Sequence, residues 1–185
     1  VRDALRQDIL SGKLEPGSRL KIAEVCQRFN ISHMPVREAL QQLQGEGMVT
    51  IEPNKGAIVR KMDAAFIRNI YQIRGAIEGL LISLSVPHLD EEDMREITRL
   101  ADAFDEQSAR PDHTLLFALN KSFHLRIYHR ADNEEAMKLL NLHWALLGGL
   151  RARYGYGFAR FEQVRKEHRD LLDAVLDKEL NRAQS

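Results

Sequence analysis

The stretch from Ser32 to Leu40, Ser-His-Met-Pro-Val-Arg-Glu-Ala-Leu, restricts this 185-residue chain more than any other. Ser32 suits a helix start, where its hydroxyl can accept a backbone N–H that lacks a partner inside the helix. Pro35 falls in the first turn, where a missing N–H is harmless. Val36, Ala39, Leu40 and Leu43 recur at helical spacing and face a core, leaving Arg37, Gln41 and Gln42 outward. Just before, Lys21 to Phe29 reads as another helix with Ile22, Val25, Cys26 and Phe29 on its apolar side. Two short helices, the second opening with small, polar and basic residues, are what a helix-turn-helix needs; its second helix enters the major groove by its N-terminal end.

The flanks extend this pattern. Residues 1–12 read as a first helix, with Val1, Leu5, Ile9 and Leu10 on one face and Gly12 ending it; Glu15-Pro16-Gly17 is a turn. Met48 to Glu52 and Ala57 to Arg60 are β-branched runs separated by Pro53-Asn54-Lys55-Gly56, which predicts a hairpin, the wing. Lys55 is either a solvated turn lysine or a wing contact to a minor groove or phosphate, and the second reading is favoured. Residues 1–61 resemble the winged helix-turn-helix of the GntR family of bacterial transcription regulators. The resemblance rests on Leu5, Ile9 to Gly12, Leu14, Pro16-Gly17, Leu20, Ser32, Pro35 to Leu40, Leu43, Gly47 and the hairpin ending at Gly56. It implies double-stranded operator DNA as partner, with Lys21, Ser32, His33, Met34, Pro35, Arg37, Asn54, Lys55 and Gly56 as DNA-binding residues. The family's usual Arg-Thr is replaced by His33-Met34, which removes a fixed cation that could grip a phosphate or guanine.

Charge is balanced at 27 basic against 27 acidic residues, which argues against an indiscriminate nucleic-acid binder. The halves differ: residues 1–62 hold ten Lys/Arg and seven Asp/Glu, net +3, and the remainder 17 against 20, net −3. That is the sign expected of a DNA-binding head on a neutral-to-acidic body. One cysteine, Cys26, excludes an intramolecular disulfide and suits a reducing cytoplasm; it is expected to pack as a small apolar residue rather than sense redox state. No apolar run reaches the length of a membrane span and no signal peptide is read, so a cytoplasmic location is expected. The chain opens on Val rather than Met, as expected of a trimmed or unobserved N-terminus.

From Asp63 onward the period is helical throughout, which predicts a mainly α protein: a winged helix-turn-helix domain over 1–61 and an all-helical bundle over 63–185. Asp63 caps a long helix through Val86, stopped by Pro87, whose stripe is Phe66, Ile67, Ile70, Ile73, Ala76, Ile77, Leu80, Leu81 and Leu84. Asp90 caps the next with Asp93 at the capping-box position, running to about Ser108. Pro111-Asp112 starts a third, through about Arg130, and Ala131-Asp132-Asn133 breaks it. Glu134 to about Arg153 forms a fourth, and a Tyr154-Gly155-Tyr156-Gly157 turn precedes a last helix from Phe158 to about Leu180.

A bundle this apolar should not bury polar groups without cause. Asn120 and His124 lie four apart on one helix face among Leu116, Leu119, Phe123 and Ile127, and His168 lies among Val164, Leu171 and Leu172. Either these are core histidines satisfied by their neighbours, or the three groups converge on a metal; neutral imidazoles favour zinc, nickel, copper or iron. Arg74 either pairs with Glu78 one turn on or clamps the carboxylate of a small acid, a task its planar fork suits. Trp144 is expected in the core rather than on a pocket wall, and His88, His113, His129 and His143 are expected at or near the surface.

Residues 63–185 resemble the FCD domain, the helical effector domain joined to GntR heads in the fatty-acid-regulator subfamily. Arg74 with Glu78, the Asn120-x-x-Phe123-His124 block followed by Ala131-x-Asn133, and Glu167-His168 carry the resemblance. It implies a divalent transition metal, zinc or nickel first, held by an Asp, a His four later and two further histidines. Asn120 stands at the Asp, His124 and His168 match the next two, and the fourth falls beyond Ser185. It also implies a small-molecule effector, an organic acid, bound by Arg74, Asn120, His124 and His168, and a homodimer on a two-fold operator. A metal-dependent enzyme, or a metal-stabilised binding module carrying a winged helix, is the alternative. Against an enzyme, the chain has no HExxH, no nucleophile–base pair and no glycine-rich phosphate loop.

Overall fold

The computed structural model describes residues 1–53, 56–108, 112–154, 158–178 and 183, and the chain divides between Ile70 and Tyr71 into two compact units. The first unit opens with α1 (Arg2–Leu10), capped by Ser11 and ended as expected by Gly12, whose φ of +75° lies in the left-handed region. A two-residue strand β1 (Arg19–Leu20), absent from the sequence reading, precedes α2 (Ile22–Phe29), and Asn30 in the left-handed region turns the chain toward α3 (His33–Gly45). Strands β2 (Val49–Glu52) and β3 (Gly56–Val59) form the expected wing, and β1 joins it to give an antiparallel sheet of order β1-β3-β2. Arg19 pairs with Ile58, and Thr50 with Ile58 on the other side. Gly56 is demanded where the strands meet: it has φ +89°, and a Cβ there would stand 2.6 Å from the Leu20 carbonyl oxygen. Leu5, Leu20, Val25, Val36, Leu40, Leu43, Met48, Ala57 and Val59 are buried together, so helices and sheet share one small core. Val1, expected on the buried face of α1, is exposed.

Helix α4 (Ala64–Ser85) begins with Asp63 accepting the Phe66 N–H at 2.9 Å and ends in a 3-10 turn, Val86–His88, with Pro87 inside it. Its expected apolar stripe is only partly core. Ile70 and Leu81 are buried, whereas Ile73, Leu80 and Leu84 are 50%, 47% and 38% exposed, because Arg74, Ile82 and Ser85 take the inward positions.

Helix α5 (Glu91–Asp105) has the capping box foreseen at Asp90 and Asp93, and a 3-10 turn at Glu106–Ser108 follows it. Helix α6 (His113–Tyr128) is capped by Asp112, and α7 (Glu134–Tyr154) by Asn133, whose side-chain oxygen accepts from the Ala136 N–H at 3.0 Å. Helix α8 spans Phe158–Leu176. Pro111, Gly155-Tyr156-Gly157 and the expected end at Leu180 lie outside the described residues. Leu81, Ile97, Phe123, Ile127, Tyr128, Leu140, Trp144 and Val175 lie in one shared core. Asp93, with no exposed surface, fastens the end of α6 to the start of α5. It accepts from its own capping partner Asp90 N at 3.1 Å, from Arg126 at 2.5 Å and from Arg130 Nε at 3.0 Å.

Candidate nucleic-acid interface and ligand cavity

The inward positions of α3, Val36, Ala39, Leu40 and Leu43, lock it into the head, so His33, Met34, Arg37 and Gln41 face out. Ser32 occupies the N-cap position in extended conformation, yet its hydroxyl makes no cap bond, contrary to expectation. The opening N–H groups of α3 therefore have no side-chain acceptor from Ser32 and are free to meet a phosphate oxygen. A groove of about 740 Å³ runs beside the helix, with Arg37 and Gln41 on one wall, Arg19 and Lys21 on another, and Glu52 and Gly56 at the wing. Of the expected DNA-binding residues, Lys21, Arg37 and Gly56 line this groove. Ser32, His33, Met34 and Pro35 form the start of α3 beyond it, and Asn54 and Lys55 lie outside the described residues. Lys21 pairs with Glu24 at 2.7 Å and Arg19 with Glu52 at 3.8 Å, whereas Arg37 makes no ion pair among the described residues. Arg19 was missed by the sequence reading. With Leu20 buried, strand alternation turns Arg19 to the outer face.

The second unit holds a cavity of about 700 Å³ lined by Arg74, Glu78, Asn120, His124, Trp144 and His168 among others. Helical spacing explains the meeting. Asn120 and His124 are one turn apart on α6, and His168 shares the inward face of α8 with buried Val164 and Leu172, so that only 2% of His168 is exposed. His168 donates from Nε2 to the Asn120 side-chain oxygen at 2.7 Å, and its ring lies between Phe104 and Phe123 with centroids 4.6 and 4.4 Å away. Its Nδ1 has no hydrogen-bond partner among the described residues. His124 Nδ1 is 3.0 Å from the Tyr128 hydroxyl, and the two imidazole centroids are 5.4 Å apart.

Burial lowers His124 to about 3, with the Arg74 charge adding to it. Burial lowers His168 to about 2, followed by His124 and the nearby Arg169 and Arg160. Both rings are neutral at pH 7, the state in which an imidazole nitrogen can act as ligand. Arg74, only 5% exposed, donates to Glu78 Oε1 from Nε at 3.0 Å and Nη2 at 2.6 Å. Its guanidinium sits 4.0 Å over the Trp144 ring. Trp144 is thus both core and cavity wall.

His143, expected at the surface, is buried with its Nδ1 unpartnered among the described residues. It lies on the stripe Leu140, His143, Trp144, Leu147, a spacing that reveals it. Among the described residues no group of three His, Cys, Asp or Glu could hold a metal, so a metal site needs the Asn120 amide oxygen. By type the donors present, two neutral imidazoles and an amide oxygen, suit a transition metal. The Nδ1 of buried His168, unpartnered among the described residues, is the one nitrogen of that ring left to bind it, since Nε2 is bonded to Asn120.

A winged helix-turn-helix head followed by an all-helical, cavity-bearing body defines a DNA-binding transcription regulator. Comparison with known proteins names the family. Residues 1–59 match the family "Bacterial regulatory proteins, gntR family" and residues 69–185 match the FCD domain. The chain belongs to the GntR family, with an FCD domain as its body. It is 27% identical over 178 residues to the HTH-type transcriptional regulator YdhC of Bacillus subtilis, covering 94% of this chain and 78% of that protein. It is 28% identical over 171 residues to the HTH-type transcriptional repressor RspR of Escherichia coli, covering 92% and 75%. The solved structure of E. coli McbR/YncC shares the fold, with a TM-score of 0.69 at 24% identity over 99% of this chain and 87% of that one. A GntR family member from Pseudomonas syringae gives 0.54 at 28% identity over 99% and 76%. These relatives are regulators, and the enzyme reading has no support among them.

Proposed function

We propose that this regulator changes its operator binding when a small carboxylate occupies the cavity of the helical body. The observation that carries the reading is Arg74: an almost wholly buried guanidinium lining a cavity of about 700 Å³ together with Asn120, His124 and His168. A guanidinium held this way offers a carboxylate a charge-assisted hydrogen bond in a partly desolvated site. Asn120, His124 and His168 are the residues that would hold a divalent ion, zinc or nickel before calcium or magnesium, since two of the three donors are imidazoles. When bound, the ion supplies a positive charge to which a carboxylate can bind. Asn120, being neutral, makes this set weaker than one with a carboxylate.

The active species is a homodimer, since one small head makes too few phosphate contacts for useful affinity. The exposed Ile73, Leu80 and Leu84 of α4 supply apolar surface for the contact. Among the described residues no helix is long and apolar enough to cross a membrane, and the protein acts in the cytoplasm, with the DNA it reads.

The test is a thermal-shift series of small mono-, di- and tricarboxylic acids, each with and without zinc or nickel, on the wild type and Arg74→Met. Hits are then carried into binding to an operator selected from random DNA. At least one acid should stabilise the wild type and alter operator affinity, and Arg74→Met should abolish both effects. Acids that change neither quantity in the wild type would refute the reading.

A further inference from the structure

The opening turn of α3 carries a side chain that the fold does not use. Met34 is 65% exposed, the highest among the large apolar side chains of the described residues. It lies three residues before Arg37 and seven before Gln41, on the same outward stripe of the helix. Arg37 and Gln41 line the groove beside the wing, so this stripe is the face the head turns outward. The uncapped N–H groups after Ser32 suit an opening turn that abuts a phosphate backbone.

We propose that Met34 reads the C5 methyl group of a thymine in the major groove, a proposal that rests on α3 being the helix that enters it. The chemistry narrows the choice. The major-groove edges present acceptors on guanine, a donor on cytosine, one of each on adenine and an acceptor on thymine, and the thymine methyl is their one apolar mark. A thioether chain has no strong donor or acceptor. Against a polar edge Met34 would strip hydration and return nothing; against a methyl, both partners lose apolar surface to water. The unbranched side chain adjusts its torsions to reach the methyl without a fixed register. On the same stripe, Arg37 has the donors to pair with guanine and Gln41 the donor and acceptor to pair with adenine, and Met34 adds the apolar contact that neither of them supplies.

The experiment begins with the full chain and an operator selected from random duplex DNA. Affinity is measured by fluorescence anisotropy on duplexes in which each thymine in turn is replaced by deoxyuridine, which lacks only the C5 methyl. The wild type should lose about four-fold at one thymine of the recognised sequence, the fold-change that matches about 0.8 kcal/mol for one buried methyl. Met34→Ala should bind the thymine and deoxyuridine duplexes equally at that position, and Met34→Leu, which restores apolar bulk, should recover the difference. The melting temperature of both variants should equal the wild type, because the side chain is exposed. A flat deoxyuridine profile alongside firm operator binding overturns the role of Met34 and leaves the DNA-reading role of α3 standing. Full retention of the deoxyuridine loss in Met34→Ala overturns it as well, and failure to select any operator overturns both.

Discussion

Replacing Asp93 with Ala should unfasten α6 from α5, and the size of the loss follows from the contacts. The carboxylate has no exposed surface and accepts from Asp90 N, Arg126 and Arg130, while His129 Nε2 stands 3.1 Å from it. Losing the Asp93 half of the capping box costs about 1 kcal/mol. Removing one partner of a buried ion pair costs roughly 3–5 kcal/mol, and the low end applies because the Arg126 side chain, 30% exposed, can rehydrate. The total is about 3–4 kcal/mol, a large share of the roughly 5–15 kcal/mol that holds a domain together.

Asp93→Asn keeps the shape and one acceptor and should lose about half as much. Trp144 is the single tryptophan and is buried in the body, so its fluorescence during urea unfolding reports this unit alone. Burial pushes the Asp93 carboxyl up, but the Asp90 N–H, Arg130, His129 and Arg126 outweigh it and hold it below its usual 3.8. A lowered folded pKa means the contribution is present above the unfolded value and is lost as pH falls through the folded one. The gap between wild type and Asp93→Asn should therefore be constant from about pH 5 to 8 and close below about pH 4. A loss under about 1 kcal/mol for Asp93→Ala, or a gap that persists in acid, would refute the reasoning.

Arg37→Ala should weaken binding to a selected operator by about 1–3 kcal/mol if the contact is to guanine, and by the same factor on all sequences if it is to phosphate; unchanged affinity would remove Arg37 from the interface. Asn120→Asp should raise zinc or nickel affinity in calorimetry and His124→Ala should abolish it, with little change in melting temperature for the metal-free Asn120→Asp protein; no binding by either the wild type or Asn120→Asp would leave a polar pocket that takes its effector unaided. Leu80→Glu, placed in the exposed stripe of α4, should convert a dimer to monomer in sedimentation at micromolar concentration; a wild type that is already monomeric, with and without DNA, refutes the dimer.

The head was legible because its apolar residues repeat in patterns that few folds satisfy: Val36, Ala39, Leu40 and Leu43 on one helix, two β-branched runs beside it. Strand β1 escaped because two residues are too short for a period, and the idle hydroxyl of Ser32 because a capping residue type does not fix its rotamer. In the body, the one-turn spacing of Asn120 and His124 gave half the cavity. That His168 would reach Asn120 depends on how α8 packs, which spacing within a helix does not encode. The stripe on α4 misled for a related reason: apolar spacing tells which residues share a face, and Ile73 and Leu80 stay exposed on theirs among the described residues.

The Asp93 fastening gives α6 a fulcrum. Its C-terminal turn is held through Arg126 and Arg130, so a guest that parted Asn120 from His168 would swing the helix about that end rather than slide it lengthwise. Asn120 stands about 12 Å from the Tyr128 end, and His113 about 22 Å, at 1.5 Å of rise per residue. A displacement at the amide would therefore be nearly doubled at the Asp112 end of the helix.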